Sequence, residues 1–400
     1  MNFLFSRTNL AFSAFLLLIL GLPSCGSDSP KNKKTSSEHA SIPVVQESPE
    51  LNDSLKAHKG IHSMARLVAG LLPEQGTEAD EITKLSAWKA FSANLNSRFG
   101  KLDSTRLFTI RNWREKELAS TLSGEEVLFY PFSGPDFLNA SQFFPEAASY
   151  YMFALEAPGS LPLPAELKKD TSGKYFSSIE KSLWSILNFS FFRTNSMKVD
   201  LNASDLNGAV HLLVLFAQRM GYEVYSVQAV TIDSLGKISE GQVGTIPGMR
   251  ILCLSPDKKQ NKTIFYFSAD ISDAGILGKK ELRMFLENLP DNRNTYLKSA
   301  SYLLHGGNFS WMRAHILRKS HHILQDDSGI PLRYVDSTWQ KTFYGSYDAP
   351  ISLFKNKYQE QLRAAYEAGG SNVRPLPFGI GYDYRLNESN LMLFSKLKGK

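Results

Sequence analysis

The chain predicts a mixed-sheet body of α/β or α+β class, a single large globular unit with helices packed around the sheet, following a disordered tether. Three observations carry that expectation. Helical apolar patterns and short strand-like runs are interspersed along the chain, which is the signature of helices layered on a sheet. Residues 127–155 read strand, turn, helix, strand, the order that builds a parallel pair. The polar stretch Ser255-Pro256-Asp257-Lys258-Lys259-Gln260-Asn261 separates two apolar runs and suits a hairpin, so antiparallel pairing is expected as well. Apolar residues make up 42% of the chain and charged residues 21%, the balance of an ordinary globular protein. No internal repeat is evident.

Taken in order, Leu85, Trp88, Phe91, Leu95 and Phe99 recur at helical spacing within 82–99, with Gly100 as a stop. A second helix is expected over 105–118, capped by Ser104. Val127-Leu128-Phe129-Tyr130 and 150–155 read as strands. Between them, Phe137 to Phe143 reads as a short helix that begins at Asp136 and stops before Pro145. Residues 204–220 form an apolar helix ended by Gly221. Strands are expected at 223–232, 249–254 and 263–269, and helices at 279–288, 294–304 and 309–323. A strand-like Leu332-Arg333-Tyr334-Val335 and a terminal Leu391-Met392-Leu393-Phe394 close the chain.

The N-terminus has a different character. MNFLFSRTNLAFSAFLLLILGLPSC holds one basic residue, Arg7, then an apolar run and small residues before a cysteine. This is the layout of a secretory signal and is too short for a spanning helix. Residues 26–59 are rich in Ser, Lys, Glu and Pro and poor in aromatics, so they read as a flexible tether. As a coil, its ends would lie roughly 30 to 35 Å apart. The expected division is a signal peptide over 1–24, a modified N-terminus and tether over 25–59, and a globular domain over 60–400 with an internal boundary near 233–249.

Leu22-Pro23-Ser24-Cys25 resembles the lipobox of bacterial lipoproteins, with an aliphatic residue three before the cysteine and a small one just before it. The resemblance implies cleavage between Ser24 and Cys25 and a diacylglycerol thioether on Cys25. It also implies palmitate-type acylation of the new amino group, and several chains give stable attachment. It further implies a protein of the cell envelope held to a membrane, and Gly26 in place of Asp after the cysteine favours the outer membrane over the inner. The body, through YPFSGPDF at 130–137, SFFRT at 190–194, ILQDDSGIP at 323–331 and PLPFGIGYDYR at 375–385, resembles a set of uncharacterised bacterial envelope proteins. That resemblance implies no activity.

Several classes are excluded by composition. The chain has two cysteines, Cys25 and Cys253, so paired-cysteine metal sites are ruled out. Cys253, in an apolar run, reads as an inert buried thiol. The formal charge of +6, with Arg7 lost alongside the signal, is spread without a basic face, so no nucleic-acid partner is expected. No cofactor and no metal are expected either.

The residues able to do chemistry are few. Asp326 and Asp327, beside Ser328 and Gly329, supply two carboxylates for acid–base work, yet Asp-Asp-Ser-Gly is also good turn chemistry. Ser133 and Ser328 precede glycines without forming a nucleophile elbow. Asp136 is the third candidate acid. His305, His315, His321 and His322 crowd one region, with His322 four residues before Asp326, and satisfied histidines are the expectation. Arg193, after Phe191-Phe192, suits an anion or a stacking contact, and equally a salt-bridged place at the edge of the core. Tyr344, Tyr347, Tyr382 and Tyr384 suit a stacking groove, although most such aromatics are core and corner packing. The function expected is binding or scaffolding in the envelope by a lipid-anchored body, with the membrane and an unknown envelope ligand or protein as partners. The alternative is a lipid-anchored hydrolase of glycans, lipids or esters that uses acids among Asp136, Asp326 and Asp327. It requires the 132–137 and 325–330 loops to meet.

Overall fold

The computed structural model describes residues 59–122, 124, 126–189, 206–241, 244–381 and 385–397. Ser24, Cys25, Arg193, Tyr382 and Tyr384 lie outside the described residues. Ten strands form one mixed sheet in the order β4-β3-β5-β6-β2-β1-β7-β8-β10-β9. They are β1 (Val127–Tyr130), β2 (Ser149–Ala154), β3 (Glu223–Ile232), β4 (Ile238–Glu240), β5 (Ile246–Leu254), β6 (Asn261–Ser268), β7 (Arg293–Leu297), β8 (Ser320–Gln325), β9 (Trp339–Gly345) and β10 (Asn390–Lys396). The central strands β6, β2, β1, β7 and β8 are mutually parallel. The two flanks, β3–β5 with β4 and β10–β9, are antiparallel. The α/β fold expected from the sequence is therefore present. The expected crossover pair is β1 beside β2, and the expected hairpin is β5 beside β6.

Each central strand alternates between the two faces of the sheet, as the pleat requires. Leu128 and Tyr130, Tyr150 and Met152, and Ile264 and Tyr266 enter one core. Phe129, Tyr151 and Phe153, and Phe265 and Phe267 enter the other. The helices divide accordingly. On the first face pack α1 (Lys59–Val68), α2 (Ser86–Leu102), α3 (Phe108–Glu117), α4 (Phe137–Phe143), the first half of α5 (Lys174–Phe189) and α6 (Val210–Arg219). On the second pack α7 (Lys280–Asn288), α8 (Ser310–Lys319) and α9 (Glu360–Gly369). Covered on both faces, β1 and β7 are buried at every residue, which explains the unbroken apolar and aromatic reading of β1, whereas β7 buries Arg293, Asn294 and Thr295 ahead of Tyr296 and Leu297.

Several expectations are corrected. Residues 294–304, read as a helix, are strand β7 followed by a 3₁₀ turn over Ala300–His305. The apolar spacing there is short enough to serve either period, and parallel pairing to β1 and β8 decides it. The helix read over 309–323 stops at Lys319, and Ser320–Gln325 is strand β8, so His322 and Asp326 are not one helical turn apart. Ser104 caps nothing: its Oγ donates to the Lys101 carbonyl inside a continuous helical run with a π-type turn at Asp103–Leu107. Leu332–Tyr334 is a 3₁₀ turn rather than a strand. Among the described residues, no helix is long and apolar enough to cross a membrane.

The chain runs outward from β1 to β2 and then β6, returns to lie beside β1 as β7, and continues outward to β8. The reversal therefore falls between β1 and β7. In doubly wound sheets the loops that leave the carboxyl ends of such a strand pair diverge and open a crevice, the usual ligand position. Phe153, fully buried between Phe129, Phe267 and Phe285, anchors the sheet below it. Phe153→Ala is expected to cost about 3–5 kcal/mol in urea unfolding, whereas Leu277→Ala at an exposed position stays within about 0.5 kcal/mol.

Candidate functional site

The loops after β1 and β7, the two strands at the reversal, each turn through a non-glycine residue with positive φ. Phe132, two residues past β1, has φ 61°, and Ser299, two past β7, has φ 58° and ψ −72°. At Ser299 the Ala300 amide donates to the Lys298 carbonyl at 2.7 Å, closing a three-residue turn of the strained hand. Such conformations cost on the order of 1–3 kcal/mol each and persist only where surroundings over-determine them.

What surrounds them is a buried charge network. Lys298 leaves the end of β7 and its Nζ lies 2.9 Å from Asp136 Oδ2, both side chains being only 4% exposed. Asp136 sits at the end of the β1 turn, where it caps α4 by accepting from the Asn139 amide at 3.1 Å. The Tyr130 hydroxyl, from the last residue of β1, donates to Asp136 Oδ2 at 3.0 Å, and the Asn139 side-chain amide donates to both carboxylate oxygens. Burial, and then the Asp136 charge, drive the Tyr130 hydroxyl well above its ordinary range, so it remains a donor. The N-cap expected at Asp136 is thus present, with a cation behind it that the sequence reading did not include.

The third loop follows β8. The Gln325 side chain brackets it, donating to the Ile330 carbonyl at 2.8 Å and accepting the Ile330 amide at 2.9 Å. Gly329 is required there, because a Cβ would meet Gln325 Oε1 at 2.5 Å. Asp326 serves this turn: Oδ1 accepts the Ser328 amide at 3.0 Å and the Ser328 hydroxyl at 2.5 Å. Its other oxygen, Oδ2, accepts the Ser299 amide at 2.9 Å and so pins the strained turn of β7. The positive charge of Lys298 acts on Asp326 as well. Through Lys298 and Ser299 the 132–137 and 325–330 loops therefore belong to one network.

Asp327 faces a different way. Its Oδ2 accepts the Tyr302 hydroxyl and its Oδ1 the Asn390 side-chain amide at 3.3 Å, both from distant elements. Burial, with the Asp326 charge next, pushes the Asp327 carboxyl up to about 7, and burial also raises Asp326. Beside this pair lies a cavity of about 240 Å³ with Tyr302, Asp326, Asp327 and Asn390 in its wall, Ile380 and Gly381 on a second side and the 346–352 loop on a third. Gly381 has φ +76°, and a Cβ there would come within 3.0 Å of Asp326 Oδ2. The 132–137 loop shares the charge network but does not line this cavity.

The remaining candidates are placed as follows. Ser133 is buried, with both its amide and its hydroxyl donating to the Phe153 carbonyl. Ser328 donates to Asp326, and among the described residues neither serine is hydrogen-bonded to a histidine, so neither forms a serine–histidine pair there. Of the two readings open for Tyr344 and Tyr347, groove or core, the structure has core: Tyr344 packs edge-on to Trp113, and Tyr347 accepts the Gln359 amide. The four histidines do not converge on one site, although the adjacent His321 and His322 stack on each other. His315 lies 2.6 Å from Arg293 and stacks on Trp311, and burial with Arg293 pushes it down to about 2. His322 meets Ser395 at 2.9 Å. Among the described residues, no group of three His, Cys, Asp or Glu is placed to hold a metal ion. Cys253 is fully buried and its thiol is pushed up to about 12, as suits an inert side chain. Lys298, Tyr302 and Asn390 were not among the sequence candidates. Reading 294–304 as a helix hid Lys298, although the turn residues Pro290-Asp291-Asn292 before Thr295-Tyr296-Leu297 are compatible with a short strand that has a lysine at its end.

Comparison with protein-family models, with curated proteins and with solved structures finds no match to this chain.

The geometry generates two expectations. Asp136→Asn removes the carboxylate partner of a buried lysine and should cost about 3–5 kcal/mol in chemical denaturation. Asp136→Asn combined with Lys298→Met should cost less than the two single changes added together. The second concerns pH. The folded Asp327 carboxyl is raised from an unfolded value of about 3.9, so its contribution to stability is full below about pH 4 and is lost as pH rises through about 7. The stability of the wild type relative to Asp327→Asn should therefore fall between pH 4 and 8, on the order of a few kcal/mol. A flat difference would show that Asp327 is ionised throughout.

Proposed function

We propose that this is a lipid-anchored protein of the bacterial cell envelope, held to the outer membrane through Cys25, whose folded body binds a small polar ligand in the cavity beside Asp326 and Asp327. The anchor rests on the Leu22-Pro23-Ser24-Cys25 sequence and on the tether composition that follows it. The binding reading rests above all on one observation: an acid pair, Asp326 buried and Asp327 half-buried, with Tyr302 and Asn390 donating to Asp327, in the wall of a cavity of about 240 Å³ at the carboxyl end of a parallel strand. Pockets with a few convergent polar groups are where ligands bind, and the carboxyl ends of doubly wound strands are where such pockets form. The size suits a ligand smaller than a nucleotide.

A hydrolase acting on glycans, lipids or esters is the second reading. Its support is the Asp327 carboxyl, held near 7, which can keep and pass a proton at neutral pH. It lacks a paired nucleophile among the described residues, and binding is therefore preferred.

Metabolic labelling with an alkyne fatty acid is expected to mark the wild type and not Cys25→Ala, and an unlabelled wild type would remove the anchor. In thermal-shift screening of the purified full-length protein, small polar compounds should raise the midpoint for the wild type and not for Asp327→Asn. Turnover of chromogenic glycosides or esters that disappears in Asp327→Asn would select the enzyme instead.

A further inference from the structure

Three loops that leave the sheet at the carboxyl ends of β7, β8 and β9 are tied to one another and carry exposed apolar side chains outward. Leu303 follows β7, Tyr334 follows β8, and Leu353 and Tyr358 follow β9; they are 48%, 39%, 65% and 48% exposed. The ties are specific. The Tyr302 ring stacks on Phe354 at 4.4 Å, so the neighbours of these two rings, Leu303 and Leu353, are left in water. The Gln359 side chain donates to the Asp327 carbonyl at 2.9 Å and accepts the Leu332 amide at 3.0 Å, joining the second loop to the third. The Arg313 guanidinium lies 4.0 Å from the centre of the Tyr334 ring while donating to the Leu304 carbonyl at 2.6 Å, joining the first to the second. The same loops carry Arg333, Lys355 and Lys357, none of which has a carboxylate partner among the described residues, whereas the nearby acids Asp348 and Glu388 are paired with Arg363 and Arg385. Burial, with the charges of Lys357 and Arg333 next, holds the His305 imidazole down at about 4, so both cations bear on the β7 loop.

We propose that this surface docks the folded body on a bilayer of anionic phospholipid, with Leu303 and Leu353 entering the headgroup boundary and Arg333, Lys355 and Lys357 meeting lipid phosphates. This rests on the anchor reading above. A coil over 26–58 would span roughly 30 to 35 Å, so an anchored body stays within reach of the membrane and a weak contact is enough to hold one face against it. Interfacial binding needs apolar area and electrostatic attraction together, and tyrosine is a residue of that boundary. Each lysine or arginine near an anionic bilayer adds to the attraction, and three stand here beside two leucines and two tyrosines. A soluble polyanion answers the cations and leaves the leucines in water. A neutral apolar partner answers the leucines and leaves the cations uncompensated. An anionic bilayer answers both.

The experiment uses the full-length protein carrying an environment-sensitive fluorophore on Leu353→Cys, mixed with vesicles of phosphatidylcholine alone or of phosphatidylcholine with phosphatidylglycerol. Cys253 is fully buried, and wild type taken through the same labelling gives the background. Leu235→Cys, exposed in the turn between β3 and β4 at the far edge of the sheet, is the control position. Flotation reports attachment and emission reports contact at the label. Anchored protein should float with both vesicles, while the label at 353 shifts to the blue only where phosphatidylglycerol is present and the label at 235 does not shift. The shift should be lost at about 1 M salt, where charges are screened beyond about 3 Å. Combined Arg333→Glu, Lys355→Glu and Lys357→Glu should remove it while the circular dichroism melt shows the chain folded, and Lys355→Glu alone should weaken it as a milder change. Flotation with both vesicles and no shift at 353 would overturn the docking surface and leave the anchor standing. Flotation and shift with phosphatidylglycerol alone would remove the anchor and keep the surface. An equal shift with phosphatidylcholine, or a shift unchanged by the charge reversals, would overturn the recognition of anionic lipid. A shift with soluble dextran sulfate but not with phosphatidylglycerol vesicles would overturn the bilayer as the partner.

Discussion

The ion pair between Lys298 and Asp136 is the constraint on which the rest of the site depends. Taking either charge out of water costs several kcal/mol, and that cost is offset only by close contact and by hydrogen bonds to the remaining lone pairs. Both conditions are met: Nζ and Oδ2 are 2.9 Å apart, and Tyr130 and Asn139 donate to the carboxylate. The pair joins the end of β7 to the cap of α4, across the one place in the sheet where neighbouring loops run apart. A pair of this kind adds little net stability over apolar packing, but it selects one arrangement of the two loops, because any other leaves a charge unpaired.

From that tie the strain and the cavity follow. With Lys298 drawn toward β1, the chain after it reverses within one residue, and Ser299 takes a conformation that serine seldom adopts. The Ser299 amide is then aimed at Asp326, which also binds its own turn through Ser328. Asp326 is therefore committed structurally on both oxygens. Asp327, one residue on, is turned away from those partners toward Tyr302, Asn390 and the open space beside them. Adjacent acids in one turn thus have divided roles: one holds the loop in shape, and the other is left with a proton that burial and its neighbour keep in place.

The sequence was most informative where local chemistry and periodicity agree. Phe137–Phe143 is helical within the expected bounds because Asp136 caps it and Pro145 follows its end. The hairpin at 255–261 and the crossover at 127–155 were readable for the same reason: each is framed by turn residues and filled by apolar runs. The reading failed at 294–304 and 320–325, where short buried segments carry no period of their own. Thr295, Tyr296 and Leu297 become a strand because β1 and β8 offer them parallel partners, and partners lie far away in the chain. That single misreading concealed Lys298 and with it the link between the two loops.

The sequence by itself determined the class of the fold, the elements framed by turn residues such as β1, α4 and the β5–β6 hairpin, the turn chemistry at Asp136 and at Asp326 with Ser328, and the inertness expected of Cys253, because each depends on neighbours within a few residues. Only the tertiary structure decided that β7 returns beside β1, that Lys298 meets Asp136 and that Asp327 shares a cavity wall with Asn390. Those pairings join residues from about 60 to 160 positions apart, and they exist because the sheet must pair its strands and cover both faces before any loop is placed.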